Sequence, residues 1–158
     1  MPFDSTSVTG DLKQLCTAEN AALHLSTGRQ TAEAVVIRPI PAWHSSMHSE
    51  QIRNTLRVLV RARELIADER RWCRRTFARG WGGIPVPLQS AAARRFCAVG
   101  AVLRAGRELG VPINHAHKAL EWQTVRPVQD WNDDPGRTHR DVLATFDAAI
   151  AVLDRRAV

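Results

Sequence analysis

The stretch SEQIRNTLRVLVRARELIA, residues 49–67, carries two periodicities at once. Ile52, Leu56, Leu59 and Ile66 recur at near-helical spacing, which predicts a helix with one buried face. Arg53, Arg57 and Arg61 recur every four residues, so the same helix carries a row of guanidinium groups beside its apolar stripe. Ser49 is a suitable N-cap, and Glu50 puts a negative charge in the first turn, where the helix dipole favours it. An apolar helix face has to pack on something, so the rest of the chain must supply partners.

Three further helices are predicted downstream. Residues 90–109 end at Gly110, with Pro112 two positions beyond. Ala93, Cys97, Ala101 and Ala105 lie four apart there, a row of small residues that lets another helix approach closely. Phe96, Gly100 and Leu103 widen that face. Residues 114–124 predict a shorter helix capped by Asn114, with Ala116, Leu120 and Trp122 facing inward. Residues 138–155 predict the last helix. Thr138 and Asp141 have capping-box spacing, and Val142, Phe146, Ala149, Ile150 and Leu153 form the apolar stripe.

The intervening segments read as breaks. Residues 68–79 are dense in arginine and continue as helix or as a broken turn. Gly80, Gly82, Gly83, Pro85 and Pro87 enforce a rigid loop. Residues 126–137, rich in Asp, Asn, Pro and Gly, read as another loop. Upstream, residues 10–25 predict a helix, residues 32–37 a short strand without a clear partner, and residues 38–48 a linker broken by Pro39 and Pro41. The expected fold is therefore all-α, a compact bundle of four to five helices. Residues 1–48 form an N-terminal helix and arm, and residues 49–158 the helical domain. The expected core holds Ile52, Leu56, Leu59, Phe96, Cys97, Leu103, Leu120, Trp131, Phe146, Ile150 and Leu153.

At 158 residues, 44% hydrophobic and 24% charged, the chain has globular rather than disordered composition. Its apolar runs are too short to cross a bilayer, and no membrane association is expected. The N-terminus lacks the pattern of a secretory signal. The three cysteines, Cys16, Cys73 and Cys97, are odd in number and widely spaced, so they do not read as a disulfide framework. These features together place the protein in a reducing cytoplasm.

The net charge of +6 comes from 20 arginines and two lysines against 16 acidic residues. GC-rich codons would raise arginine everywhere, so position says more than the ratio. Residues 53–79 are net +6 and residues 80–126 net +4, whereas both chain ends are net −2. Arg53, Arg57, Arg61, Arg71, Arg74 and Arg75 are accordingly the expected anion or nucleic-acid contacts. Like charges at helical spacing repel, and an anionic partner relieves that repulsion while releasing counterions. Trp72, Phe77 and Trp81 are interleaved and would stack on bases where exposed. The competing reading is a solvated face, its arginines paired with acidic residues from the chain ends.

Other chemistry is less well supplied. Trp131–Asn132–Asp133 stands either as a polar pocket or as a core plug with side chains satisfying a tight turn. His44 with His48, and His115 with His117, read as exposed pairs. With Cys73 or Cys97 they would be the raw material of a zinc site, yet no ligand motif joins them. Neither a nucleophile elbow, a P-loop nor a dinucleotide fingerprint is present.

From about residue 56 onward the chain resembles a family of small bacterial and phage proteins of unknown function. The resemblance rests on Trp72–Cys73 with Gly82–Gly83–Ile84–Pro85–Val86, on Arg95–Phe96–Cys97–Ala98–Val99–Gly100–Ala101, and on Trp131–Asn132–Asp133 leading through Thr138 to Asp147–Ala148–Ala149–Ile150. It implies one structural unit over 56–155 and supplies no reaction or ligand. The expected function is non-catalytic binding of an acidic partner, nucleic acid or protein, with no cofactor and no metal. The alternative is a small enzyme or metal-binding protein with its site around residues 131–134 and nearby His or Cys. A homo-oligomer joined through the small-residue helix or the N-terminal arm is a third expectation.

Overall fold

The amphipathic pattern of residues 49–65 folds as its spacing predicts. The computed structural model describes Arg38 and residues 41–155. Cys16, the expected helix at 10–25 and the expected strand at 32–37 lie outside the described residues. Helix α1 (Ser49–Leu65) buries Ile52, Thr55, Val58, Leu59 and Ala62. Its cap is His48 rather than Ser49, and the His48 N–H donates to Gln51 Oε1 at 2.9 Å. Thr55 satisfies its buried hydroxyl by donating to the Gln51 carbonyl at 2.7 Å. At the other end of the helix the last carbonyls need partners. His139 brings Nε2 to 2.7 Å from the Ile66 carbonyl. A carbonyl only accepts, so Nε2 carries the hydrogen.

The helix expected over 90–109 starts eight residues late, as α2 (Ala98–Leu109). Ala91–Ala93 have helix propensity, but they close only a turn, the Ala93 N–H donating to the Ser90 carbonyl at 3.1 Å, and two interactions hold the next residues extended. Arg95–Phe96 forms strand β2 against β1 (Ala78–Arg79), antiparallel, with Ala78 opposite Phe96 and Arg79 opposite Arg95. Phe96 is also bridged by Trp72, and its carbonyl accepts the Cys73 N–H at 3.1 Å. Cys97 then caps α2, its Sγ accepting the Gly100 N–H at 3.3 Å. The row of small residues therefore begins at the cap. Ala93 is off the helix, while Ala101 and Ala105 are fully buried on it. Gly110 ends α2 at φ +65°, a left-handed geometry that glycine adopts without strain.

Helix α3 (Asn114–Thr124) follows, with Ile113 rather than Asn114 at the cap position. The expected loop over 126–137 instead contains a short helix, α4 (Val128–Asp133). Helix α5 (His139–Asp154) starts with the expected box: Asp141 N–H donates to Thr138 Oγ1 at 3.2 Å, and Thr138 N–H to Asp141 Oδ2 at 2.8 Å. α1 packs on α2 and α5, and α3 on α5. The core between them is built from Val58, Leu59, Val102, Leu120, Val142, Phe146 and Leu153. Of the expected core, Leu56, Leu103 and Ile150 are only half-buried and line its edge. The described residues are thus mostly helical with one small antiparallel sheet, rather than purely all-α.

Gly100 sets how closely α2 lies against the sheet. A Cβ there would overlap the Phe77 carbonyl oxygen and stand 2.8 Å from the carbonyl carbon. Backbone cannot swing aside as a side chain can, so Gly100→Ala should destabilise the fold by about 3 kcal/mol or more. Urea denaturation checks this, and an unchanged midpoint would refute the close approach.

Candidate anion-binding groove

Two consecutive side chains of α4 fix the arginine-rich segment. Asn132 is fully buried. Its Oδ1 accepts from Trp72 Nε1 at 2.9 Å and from the Ala98 N–H at 3.1 Å. Its Nδ2 donates to the Cys73 carbonyl at 3.3 Å and to Asp133 Oδ1 at 2.9 Å. An amide has two acceptor sites and two donors, so Asn132 is saturated. Asp133 Oδ1 also accepts the Arg75 N–H at 2.7 Å, which holds Arg75 at φ +64°. Trp131, beside them, is buried. The motif expected as a loop thus sits on a helix and clamps residues 72–75 to the start of α2.

That clamp sets two neighbouring segments side by side. The turn Glu69–Arg71 precedes Trp72, and Arg94–Arg95 precedes Phe96. With Gly80–Gly82 and part of α2 they line a groove of about 480 Å³. Arg70, Arg71, Arg94, Arg95 and Arg104 line it, against the carboxylates of Asp68 and Glu108. Arg70 Nη2 lies 2.7 Å from Asp68 Oδ2, and Arg104 Nε lies 2.8 Å from Glu108 Oε1. Arg71, Arg94 and Arg95 form no ion pair with any described carboxylate. The side-chain and backbone hydrogen bonds from Arg70 hold the Asp68 carboxyl down at about 2. Burial raises the Glu108 carboxyl, but the hydrogen bonds from Arg104 and Arg61 outweigh it and leave the carboxyl below its ordinary value. Both acids are therefore anionic at neutral pH, and the arginines still outnumber them.

Trp81 stands at the mouth, 77% exposed, with the Arg94 guanidinium 5.8 Å from its ring centroid. Its loop is pinned. Gly80 N–H donates to the Ile84 carbonyl at 2.9 Å, and Arg79 Nη1 donates to the Gly83 carbonyl at 2.6 Å. Gly82 and Gly83 have φ of +67° and +78°, which is why glycine stands at both.

The expected contact residues separate into groups. Arg71 lines the groove. Arg53 and Arg57 are exposed along α1. Arg61 is ion-paired, 2.9 Å from Glu108 and 3.1 Å from Glu64, and so joins the α1 row to the groove wall. Arg74 is used in packing, its guanidinium 4.7 Å from the Trp72 ring centroid and donating to the Arg137 carbonyl. Arg75 is exposed. Of the arginines that line the groove, Arg70, Arg94, Arg95 and Arg104 are not among the expected contacts. The Arg94–Arg95 doublet is the signal the sequence offers, but helical periodicity over residues 90–109 does not place it beside Arg70–Arg71. Acidic residues from the C-terminal third do reach back: Arg63 holds Asp147 through two hydrogen bonds of 2.5 and 3.0 Å, and Arg126 lies 2.5 Å from Asp134.

The histidines are placed differently from expectation. His44 is fully buried in the turn Ala42–Ser46, so His44 and His48 are not an exposed pair. His115 stacks on Trp43, and His117 lies 3.6 Å from Glu121. Among the described residues no three His, Cys, Asp or Glu side chains gather to hold a metal. Cys73 and Cys97 are buried, and burial is the main cause pushing their thiols up to about 12 and about 11.

The family model described as a family of unknown function, DUF6197, matches residues 51–152. It covers α1 almost entirely, the groove, the Asn132 clamp and most of α5. Searches of curated proteins and of solved structures give no match.

Asn132→Asp replaces two donors with an oxygen facing the Cys73 carbonyl and the Asp133 carboxylate. It should cost about 3 kcal/mol at neutral pH. Repulsion raises the new carboxyl's folded pKa, so the deficit should shrink as acidification restores a donor; urea titrations at several pH values measure this. For the thiols, a Cys16→Ser variant should not react with a thiol reagent at pH about 8 until it is unfolded. Because the folded thiol pKa values are raised, stability should be flat below the ordinary thiol value of 9.0 and fall as pH rises toward 11–12.

Proposed function

We propose that this chain, which belongs to the family of unknown function DUF6197, is a non-catalytic protein that binds nucleic acid through the arginine groove. One observation carries the reading. Arg71, Arg94 and Arg95 come from two separate stretches of chain, line one groove, and have no ion pair with a described carboxylate. Such a cluster repels itself, and phosphates relieve the repulsion while accepting guanidinium donors. Concavity concentrates the field further. Arg53 and Arg57 extend the positive track along α1, at about 6 Å per four-residue step.

A second reading, an acidic protein surface, is favoured by Ile84, which is 67% exposed in the same loop as Trp81 and would suit an apolar contact. An enzymatic site around residues 131–134 has less to draw on, because Asn132 has no donor or acceptor left for a substrate. The reducing cytoplasm remains the proposed setting, in keeping with two buried free thiols.

Fluorescence anisotropy of labelled DNA and RNA oligonucleotides across a salt series tests the proposal. Affinity should fall steeply with salt. Arg71→Ala/Arg94→Ala/Arg95→Ala should make the slope of log K against log salt shallower by about two to three. Arg53→Ala/Arg57→Ala should have a smaller effect. An absence of binding at low salt would overturn the nucleic-acid reading and direct the search to acidic proteins.

A further inference from the structure

We infer that Trp81 is a base-stacking platform and that the groove takes single-stranded nucleic acid in preference to duplex; the inference rests on the nucleic-acid reading above. Most of an indole left in water forgoes the stabilisation that burial gives a large aromatic ring. The other tryptophans follow that rule: Trp131 is buried, and Trp43, Trp72 and Trp122 are at least half-buried. Trp81 alone is 77% exposed among the described residues.

Its exposure is not that of a slack loop. The hydrogen bonds from Gly80 to Ile84 and from Arg79 to Gly83 fix the backbone on both sides of the indole. Gly80 is itself wedged, since a Cβ there would meet Val86 Cγ1 at 3.1 Å and the Ala92 carbonyl at 3.2 Å. Beyond the ring the loop is bare: a Cβ at Gly82 or Gly83 would meet nothing within 4 Å. An exposed aromatic carried by a fixed backbone can receive a flat partner at a lower entropic cost than one on a slack loop.

The neighbours select that partner. Arg94 lies over the Trp81 ring and also lines the groove with Arg71 and Arg95. A flat ring beside three guanidinium groups that have no ion pair with a described carboxylate matches a base attached to a phosphodiester backbone. In a duplex each base is stacked and paired, so its face is not available. A single strand can present a base face to Trp81 while its phosphates lie along the arginines.

The test uses the full-length protein with three labelled probes: a single-stranded oligothymidylate, a duplex of the same length, and an abasic strand that keeps the phosphates but lacks bases. The single strand should bind tighter than either of the others. Trp81→Ala should weaken single-strand binding about tenfold without changing the salt slope. It should leave duplex and abasic binding unaltered, and Trp81→Phe should restore most of the loss. Trp81 is exposed, so these variants should fold, and circular dichroism verifies that. Equal binding of single strand and abasic strand, preference for duplex, or no effect of Trp81→Ala would overturn the platform; if the triple arginine variant still lost affinity, the groove reading would survive. Failure of every probe to bind at low salt would overturn both.

Discussion

Asn132 accepts from an indole N–H and a helix N-terminal amide, and donates to a backbone carbonyl and a carboxylate, all without contact with water. A buried amide satisfied at every site is strongly directional, since displacing any one partner leaves a polar group unpaired in the core. Three of its four partners lie at Trp72, Cys73 and Ala98. The residues just before them, Arg70–Arg71 and Arg94–Arg95, form the arginine-rich walls of the groove. Holding the first set in register therefore holds the second. A fully buried polar side chain is in this sense the support of the arginine-lined groove.

The charge pattern becomes intelligible on that framework. Arg61, Arg63, Arg70, Arg104 and Arg126 are matched by carboxylates, two of them from the acidic C-terminal third. Exposed pairs of this kind contribute little stability. Their effect here is to divide the arginines into those committed within the molecule and those left over. Among the arginines without such a partner, Arg71, Arg94 and Arg95 line the groove and Arg53 and Arg57 stand on the outer side of α1, while Arg75, Arg107 and Arg140 are exposed elsewhere. Arg74 belongs to neither group. It covers the Trp72 ring, a use of the guanidinium plane that lysine could not reproduce.

Where hydrophobic periodicity ran unbroken, the sequence was legible. α1, α3 and α5 fall within a few residues of expectation because Ile52 to Leu59, Ala116 to Leu120, and Val142 to Leu153 repeat long enough to define a face. The sheet was hidden because two-residue strands have no period to read. The start of α2 was misplaced because Ala91–Ala93 favour helix locally while Phe96 is held by two tertiary pairings. α4 was concealed by Asp, Asn and Pro, whose turn chemistry outweighs a six-residue helix. For the groove, the sequence pointed to residues 53–79 and to Arg71 within them. Its other wall depends on Arg94–Arg95 coming beside Arg70–Arg71, a juxtaposition that only tertiary structure creates.

The order in which the chain is made also matters. Trp72 and Asn132 are 60 positions apart, and the Ile66 carbonyl and the His139 ring that covers it are 73 apart. Both ties reach backward from late in the sequence to early in it. On the ribosome, α1 and the arginine-rich segment emerge well before α4 and α5, the elements that complete them. Until then, nine arginines over residues 53–79 are presented by an unfinished chain, next to ribosomal RNA. Closing long loops is also slow relative to local helix formation. The domain is thus completed from its C-terminal end, and the groove takes its final form among the last parts of the molecule.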